Sequence, residues 1–148
     1  MAKLSARKVG RCGELLVQYR LLRKGVDSSY LTTDPGIDLV AFPNVSQKPV
    51  TIQVKTSRHL GSAKETRLEW QIWENCPAEY IALVDFNRHK CWLIEIEVFK
   101  PKARSIPNNK RKLQWKFSDY APERLKQKEE EFKEYEMETA ISRVFGLE

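Results

Sequence analysis

Four polar residues, Glu14, Asp38, Gln53 and Lys55, stand among apolar neighbours where a buried face is expected. Gln53 and Lys55 belong to Val50-Thr51-Ile52-Gln53-Val54-Lys55, which reads as a strand. The strand period of two sends Thr51, Gln53 and Lys55 to one face and Val50, Ile52 and Val54 to the other. Asp38 lies in a second apolar run, Ile37 to Phe42, just after the turn Asp34-Pro35-Gly36. A carboxylate, an amide and an ammonium are costly to bury without partners. Brought together, their oxygens can hold a hard divalent cation, and the lysine can steady a nucleophilic water beside a phosphate. Singly, each has a plainer reading. Asp38 could cap the Pro35-Gly36 turn, Glu14 could pair with Arg11 or Arg7, and Gln53 and Lys55 could lie on a solvated sheet face.

The elements that must position these groups follow from the hydrophobic pattern. Residues 5–24 read as a helix with two stripes. Val9, Cys12, Leu15, Leu16, Tyr19 and Leu22 form the apolar face, and Gly10, Glu14, Val17 and Leu21 form the other. Glu14 is the one charge in its stripe and is expected to point inward. Gly25 supplies the stop. Strands are expected at 28–33, 37–43 and 49–56, the last two joined by a hairpin loop from Pro43 to Pro49. Residues 57–69 read as a polar loop, and Trp70 to Trp73 as a helical turn. Tyr80 to Val84 has the apolar continuity of a central strand, and the turn at 87–90 leads into a strand at 91–96. The stretch from Lys100 to Phe117 carries seven Lys or Arg and no acid, and reads as a basic loop ending in a short strand at 113–117. Pro122 opens a C-terminal helix running to about Phe145. The fold class is α/β, a mixed sheet flanked by helices in one domain spanning 1–148.

Glu14, Pro35-Gly36-Ile37-Asp38 and Gln53-Val54-Lys55 together resemble the PD-(D/E)XK nuclease superfamily. The closer likenesses are archaeal Holliday junction resolvases and small intron-encoded homing endonucleases. The resemblance covers roughly residues 7–57 and departs at Gln53, where most members carry Glu. It implies a restriction-endonuclease-like core and a metal-dependent endodeoxyribonuclease of homing or restriction type. It makes Glu14, Asp38, Gln53 and Lys55 catalytic, with Mg²⁺ as cofactor and Mn²⁺ as substitute. Asp38 and Gln53 would be ligands, Glu14 would orient the attacking water or ligate a second ion, and Lys55 would position or deprotonate that water. The alternatives are a structure-specific nuclease of the junction-resolvase kind and a non-catalytic DNA-binding module on the same fold.

Charge agrees with an anionic partner: the net charge is +6 and the sequence pI about 9.3, as expected for binding double-stranded or branched DNA. Arg7, Lys8 and Arg11 ahead of Glu14, and Thr56, Ser57 and Arg58 after the strand, are candidate phosphate contacts. Arg104, Asn108, Lys110, Arg111 and Lys112 of the basic segment are candidates for DNA contact, the asparagines for base edges. His59 is a weaker candidate for a base, and a surface position is its plainer reading. The four tryptophans read chiefly as core or subunit interface. No run approaches the roughly 20 apolar residues of a membrane span, and no secretory leader is visible. Cys12, Cys76 and Cys91 are odd in number and lack CxxC spacing, which argues against a disulfide framework or a zinc site and points to a reducing cytoplasm. One site cuts one strand, so duplex cleavage implies a homodimer or homotetramer. The final Leu147-Glu148 matches a cloning remnant.

Overall fold

Ser5 starts the first helix, α1 (Ala6–Arg23), by accepting the Lys8 N–H on its hydroxyl at 3.3 Å. Gly25, with a left-handed φ of 84°, ends it. The computed structural model describes residues 3–44 and 47–146; residues 45 and 46 of the Pro43–Pro49 loop and Leu147-Glu148 lie outside the described residues. Five strands form a mixed sheet: β1 (Asp27–Tyr30), β2 (Leu39–Phe42), β3 (Val50–Ser57), β6 (Tyr80–Asp85) and β7 (Lys90–Glu95), adjacent in that order. All pairings are antiparallel except β3 with β6, which run parallel.

The chain between β3 and β6 joins with the segment after β7 to build a second sheet. β4 (Leu60–Gly61), β5 (Thr66–Trp73), β9 (Lys110–Phe117) and β8 (Arg104–Ile106) pair antiparallel in that order. The sequence leads one to expect a loop at 57–69 and a helical turn at 70–73; both are part of this sheet. The cause is alternation: Leu68, Trp70 and Ile72 are buried while Glu69, Gln71 and Trp73 are not. The basic segment likewise departs from a loop. It contains the end of a short helix, α2 (Ile96–Lys102), and the β8–β9 hairpin. Asn108 and Asn109 turn that hairpin with positive φ of 71° and 58°, a conformation asparagine tolerates.

One core joins the inner faces of the two sheets. Trp70, Trp92 and Trp115 meet edge to face there, with ring centroids 5.0 to 6.1 Å apart. A second core lies between the other face of the mixed sheet and the helices. It takes Val17 and Leu21 from α1 and Met137, Ala140, Ile141 and Phe145 from the C-terminal helix. The expected single C-terminal helix is two: α3 (Glu123–Glu131) and α4 (Met137–Phe145), separated by a 3-10 turn at Lys133–Tyr135. The break lets Phe132 and Tyr135 enter the inter-sheet core while α4 packs on the opposite side. Among the described residues, no helix is long and apolar enough to cross a membrane.

The buried face of α1 also differs from expectation. Val9, Gly13, Val17 and Leu21 face inward, while Leu15, Tyr19 and Leu22 are 50%, 55% and 60% exposed. The stripe holding Glu14 is therefore the one turned toward the sheet.

Candidate active site

The turn before Asp38 is held by Asp34, whose Oδ1 accepts the N–H groups of Gly36 and Ile37, both at 3.0 Å. This Asx turn leaves Asp38 free of the capping role open to it in the sequence. Gly36 is required by space, because a β-carbon there would sit 2.3 Å from Cδ of Pro77. Asp38 follows immediately, its backbone N–H donating to Ile52 O at 2.9 Å. Its Oδ2 accepts from Gln53 Nε2 and from the Val54 N–H, each at 2.7 Å. Among the described residues, no hydrogen bond reaches Oδ1.

Glu14 and Lys55 complete the group. Arg11 Nη1 donates to Glu14 Oε2 at 3.3 Å, and the Arg11 guanidinium lies 3.7 Å from the centre of the Tyr30 ring. Burial raises the Glu14 pKa, the negative charge of Asp38 raises it further, and hydrogen bonding to Arg11 opposes both. Asp38 is also raised above the usual carboxylate range, chiefly by burial; the Val54 N–H, the charge of Lys55 and the Gln53 amide counteract this. Two partly buried carboxylates, both with raised pKa and one raised in part by the charge of the other, are a place where a cation would relieve the cost of ionisation. Asp38 Oδ1 and Glu14 are the hard oxygens that could hold one, and the Gln53 carbonyl, which faces Cys76 Sγ at 3.8 Å, could join them only by turning its amide. No group of three or more His, Cys, Asp or Glu side chains converges among the described residues, so such an ion would rely on neutral oxygens as well.

Cys76 has a role that no spacing in the sequence announces. Its thiol lies 3.6 Å from Gly36 O and 3.8 Å from Gln53 Oε1. The Gln53 amide is thereby oriented with nitrogen on Asp38 and oxygen toward sulfur. Burial raises the Cys76 pKa, so the thiol keeps its proton.

The candidate DNA contacts fall into distinct sets. Arg7 and Lys8 are exposed on the first turn of α1. Thr56 is half-buried with its hydroxyl enclosed and without a hydrogen-bond partner, and Ser57 is buried, accepting from the Glu69 N–H at 3.0 Å while donating to Arg58 O at 2.8 Å. Each hydroxyl is enclosed because β3 continues through Ser57 between α1 and β5. Arg58 donates to Leu4 O. Arg111 is turned away from the outer surface of its sheet, bonded to Glu74 at 2.5 Å and to Lys100 O at 2.8 Å. Arg104, Lys110 and Lys112 lie on that outer surface, and Asn108 and Asn109 are exposed at the hairpin tip. His59 is half-buried, its Nε2 3.0 Å from Asp85 Oδ1. Asp85 is fully buried and also accepts from Arg88 Nε at 2.7 Å, and Arg88 reaches Glu129 of α3 at 2.6 Å. This network ties α3 to the end of β6 and gives His59 a structural post.

Lys55 borders a cavity of about 380 Å³ with Arg58, Glu69 and Gln71. Gly36 borders another of about 530 Å³ with Trp73, Cys76 and Asn109. The two cavities thus flank the site's elements, one at Lys55 and one at the turn before Asp38, and residues of β5 border both.

No protein-family description matches the sequence, and no curated protein matches it. Among solved structures, the fold is similar to that of a bacterial homing endonuclease, I-Ssp6803I. The TM-score is 0.59 at 14% identity, over 76% of this chain and 75% of that one. The likeness is one of fold: a mixed sheet flanked by helices, with helical packing at the C-terminus.

Proposed function

We propose that this protein is a metal-dependent DNA endonuclease of the homing or restriction type, on a PD-(D/E)XK-like site with Gln in the usual Glu position. The observation that carries the reading is the convergence of Asp38 and Gln53, bonded at 2.7 Å from sequence positions fifteen residues apart, with Glu14 and Lys55 electrostatically coupled to the same carboxylate. The fold shared with a bacterial homing endonuclease supports it, as does the +6 charge.

Asp38, Glu14 and Gln53 would hold Mg²⁺ or Mn²⁺, which when bound polarises a phosphate oxygen and acidifies a water. Lys55 orients the attacking water and offsets the negative charge that develops on the phosphate. Arg11 favours the ionised form of Glu14. Arg7 and Lys8, exposed on the first turn of α1, would contact flanking phosphates. Cutting both strands needs a second copy, and the exposed Leu15, Tyr19 and Leu22 of α1 offer an apolar face for a homodimer or homotetramer.

One observation favours the second reading, a non-catalytic DNA-binding module. The Gln53 amide nitrogen already satisfies Asp38, as a glutamate could not. Purified protein incubated with supercoiled plasmid and with a four-way junction, with and without Mg²⁺ or Mn²⁺, separates the readings. The proposal expects metal-dependent nicking of plasmid that Asp38→Ala and Lys55→Ala abolish while DNA binding persists. Selective junction cleavage would identify a structure-specific nuclease, and binding with no cleavage under either metal would identify the module.

A further inference from the structure

The exposed side of the second sheet is patterned in a way the candidate active site does not use. β5 presents Arg67, Glu69, Gln71 and Trp73 outward, and the register sets them against Lys116, Gln114, Lys112 and Lys110 of β9. The helices leave this side open, because Phe99, Leu125, Phe132 and Tyr135 all pack into the core on the inner side. The outward row carries five cations, Arg67, Arg104, Lys110, Lys112 and Lys116, with Glu69 and Glu65 as their nearby acids. Glu69 is held in place, accepting from Gln114 Nε2 at 2.8 Å with Lys112 at 3.5 Å. Trp73 is 50% exposed, and Lys110 Nζ lies 4.6 Å from the centre of its ring.

We infer that the outer face of the β5–β9 ribbon is the surface by which this chain reads base edges in the major groove of duplex DNA. The inference rests on the endonuclease reading for its choice of DNA. Shape is the first support. A major groove admits a two-stranded ribbon. β4 pairs only with Thr66 and Arg67, and β8 only with Lys110–Lys112, so the middle of the ribbon is two strands wide. Eight extended residues span about 27 Å, or roughly eight base pairs at 3.4 Å each. Chemistry is the second support. Gln71 and Gln114 carry amides that can pair bidentately with adenine, Arg67 and Lys112 suit guanine, and Trp73 offers apolar contact to a thymine methyl. Arg104 and Lys116, nearer the margins, suit phosphates. Continuity is the third. Glu69 and Gln71 line the cavity that holds Lys55, and Trp73 lines the one at Gly36. A duplex seated on the ribbon therefore passes the candidate site.

The test is enrichment of a randomised duplex pool on the full chain in Ca²⁺ buffer, comparing wild type with the double variant Gln71→Ala, Gln114→Ala. The expected result is a preferred sequence for wild type. The variant should keep its affinity for unselected duplex within about threefold and lose on the order of tenfold to a hundredfold discrimination at the contacted base pairs. An unchanged preference in the variant would overturn the inference. So would the absence of any preference in wild type, or equal competition by an RNA duplex of the selected sequence, whose deep major groove excludes side chains. Fluorescence gives a second measurement that does not depend on the glutamines. Trp70, Trp92 and Trp115 are buried and Trp73 is not, so DNA on this face should change emission, and Trp73→Phe should silence the change. Persistence of the full change in Trp73→Phe would also overturn it. The endonuclease reading fails separately, by an uncut plasmid under Mg²⁺ and Mn²⁺ with sequence preference intact.

Discussion

The Thr56 hydroxyl occupies the space that a side chain at Gly13 would need: a β-carbon on Gly13 would stand 1.8 Å from Thr56 Oγ1. This contact sets how closely α1 approaches β3. It thereby sets the position of Glu14, the next residue, relative to Lys55 on the strand.

Gly13→Ala should force α1 outward, costing about 1–3 kcal/mol as overpacking does, and reduce cleavage more than DNA binding. The Thr56 hydroxyl has no hydrogen-bond partner, so Thr56→Ala removes the clash at little cost. The double variant should regain most of the lost stability and activity. Thermal melts and plasmid nicking on the two single variants and the double variant check this; a double variant no better than Gly13→Ala would show that the contact does not govern the site.

Asp38→Asn should make the protein more stable while ending cleavage. Burial raises the Asp38 pKa above its ordinary 3.8, so the folded state holds that proton more tightly than the unfolded state does. Wild type therefore loses stability as pH rises from about 4 through the raised pKa, and the asparagine variant does not. At neutral pH the asparagine variant should therefore melt above wild type. Melting curves from pH 3 to 8 on both proteins measure it, and a variant that melts lower throughout the neutral range contradicts the assignment.

Gln53→Glu should reverse the balance at the same place. Without metal, a carboxylate 2.7 Å from Asp38 replaces a donor with a like charge, so the metal-free variant should melt lower. Its affinity for Mg²⁺ should rise, because a carboxylate binds a hard cation better than an amide. Calorimetric titration and melts with and without Mg²⁺ test both halves. Unchanged metal affinity would place Gln53 outside any cation site.

Asp85→Ala should be the most destabilising of these changes, by about 3 kcal/mol, since it leaves Arg88 and His59 without their buried partner. Cleavage per folded molecule should change little, because the network lies apart from Asp38. Denaturant unfolding measures the first, and single-turnover rates at saturating DNA the second.

The parts of the fold legible in the sequence are those with strong local patterns. α1, the β2–β3 pair and the β6–β7 pair lie within a few residues of their expected bounds. Asp38, Gln53 and Lys55 were visible because polar groups interrupt apolar runs. The second sheet was hidden by its outer row: Arg67, Glu69, Gln71 and Trp73 make β5 look polar and irregular, although Leu68, Trp70 and Ile72 alternate with them. The α1 face was misread because Leu15, Tyr19 and Leu22 outweigh the Gly13 stripe in hydrophobicity, yet only the glycine side permits close approach to β3. Cys76 and Asp85 act through contacts 23 and 26 residues away, with Gln53 and His59. No local pattern encodes such partners.

The two-residue period of β5 and β9 has an evolutionary corollary. Leu68, Trp70, Ile72, Leu113, Trp115 and Phe117 hold the fold from one side, while their neighbours on the other side add only exposed or half-buried polar contacts to it. If that outward row reads DNA as proposed, selection could rewrite it one residue at a time and retarget the chain while Asp38, just ahead of β2, and Lys55 on β3 stay fixed.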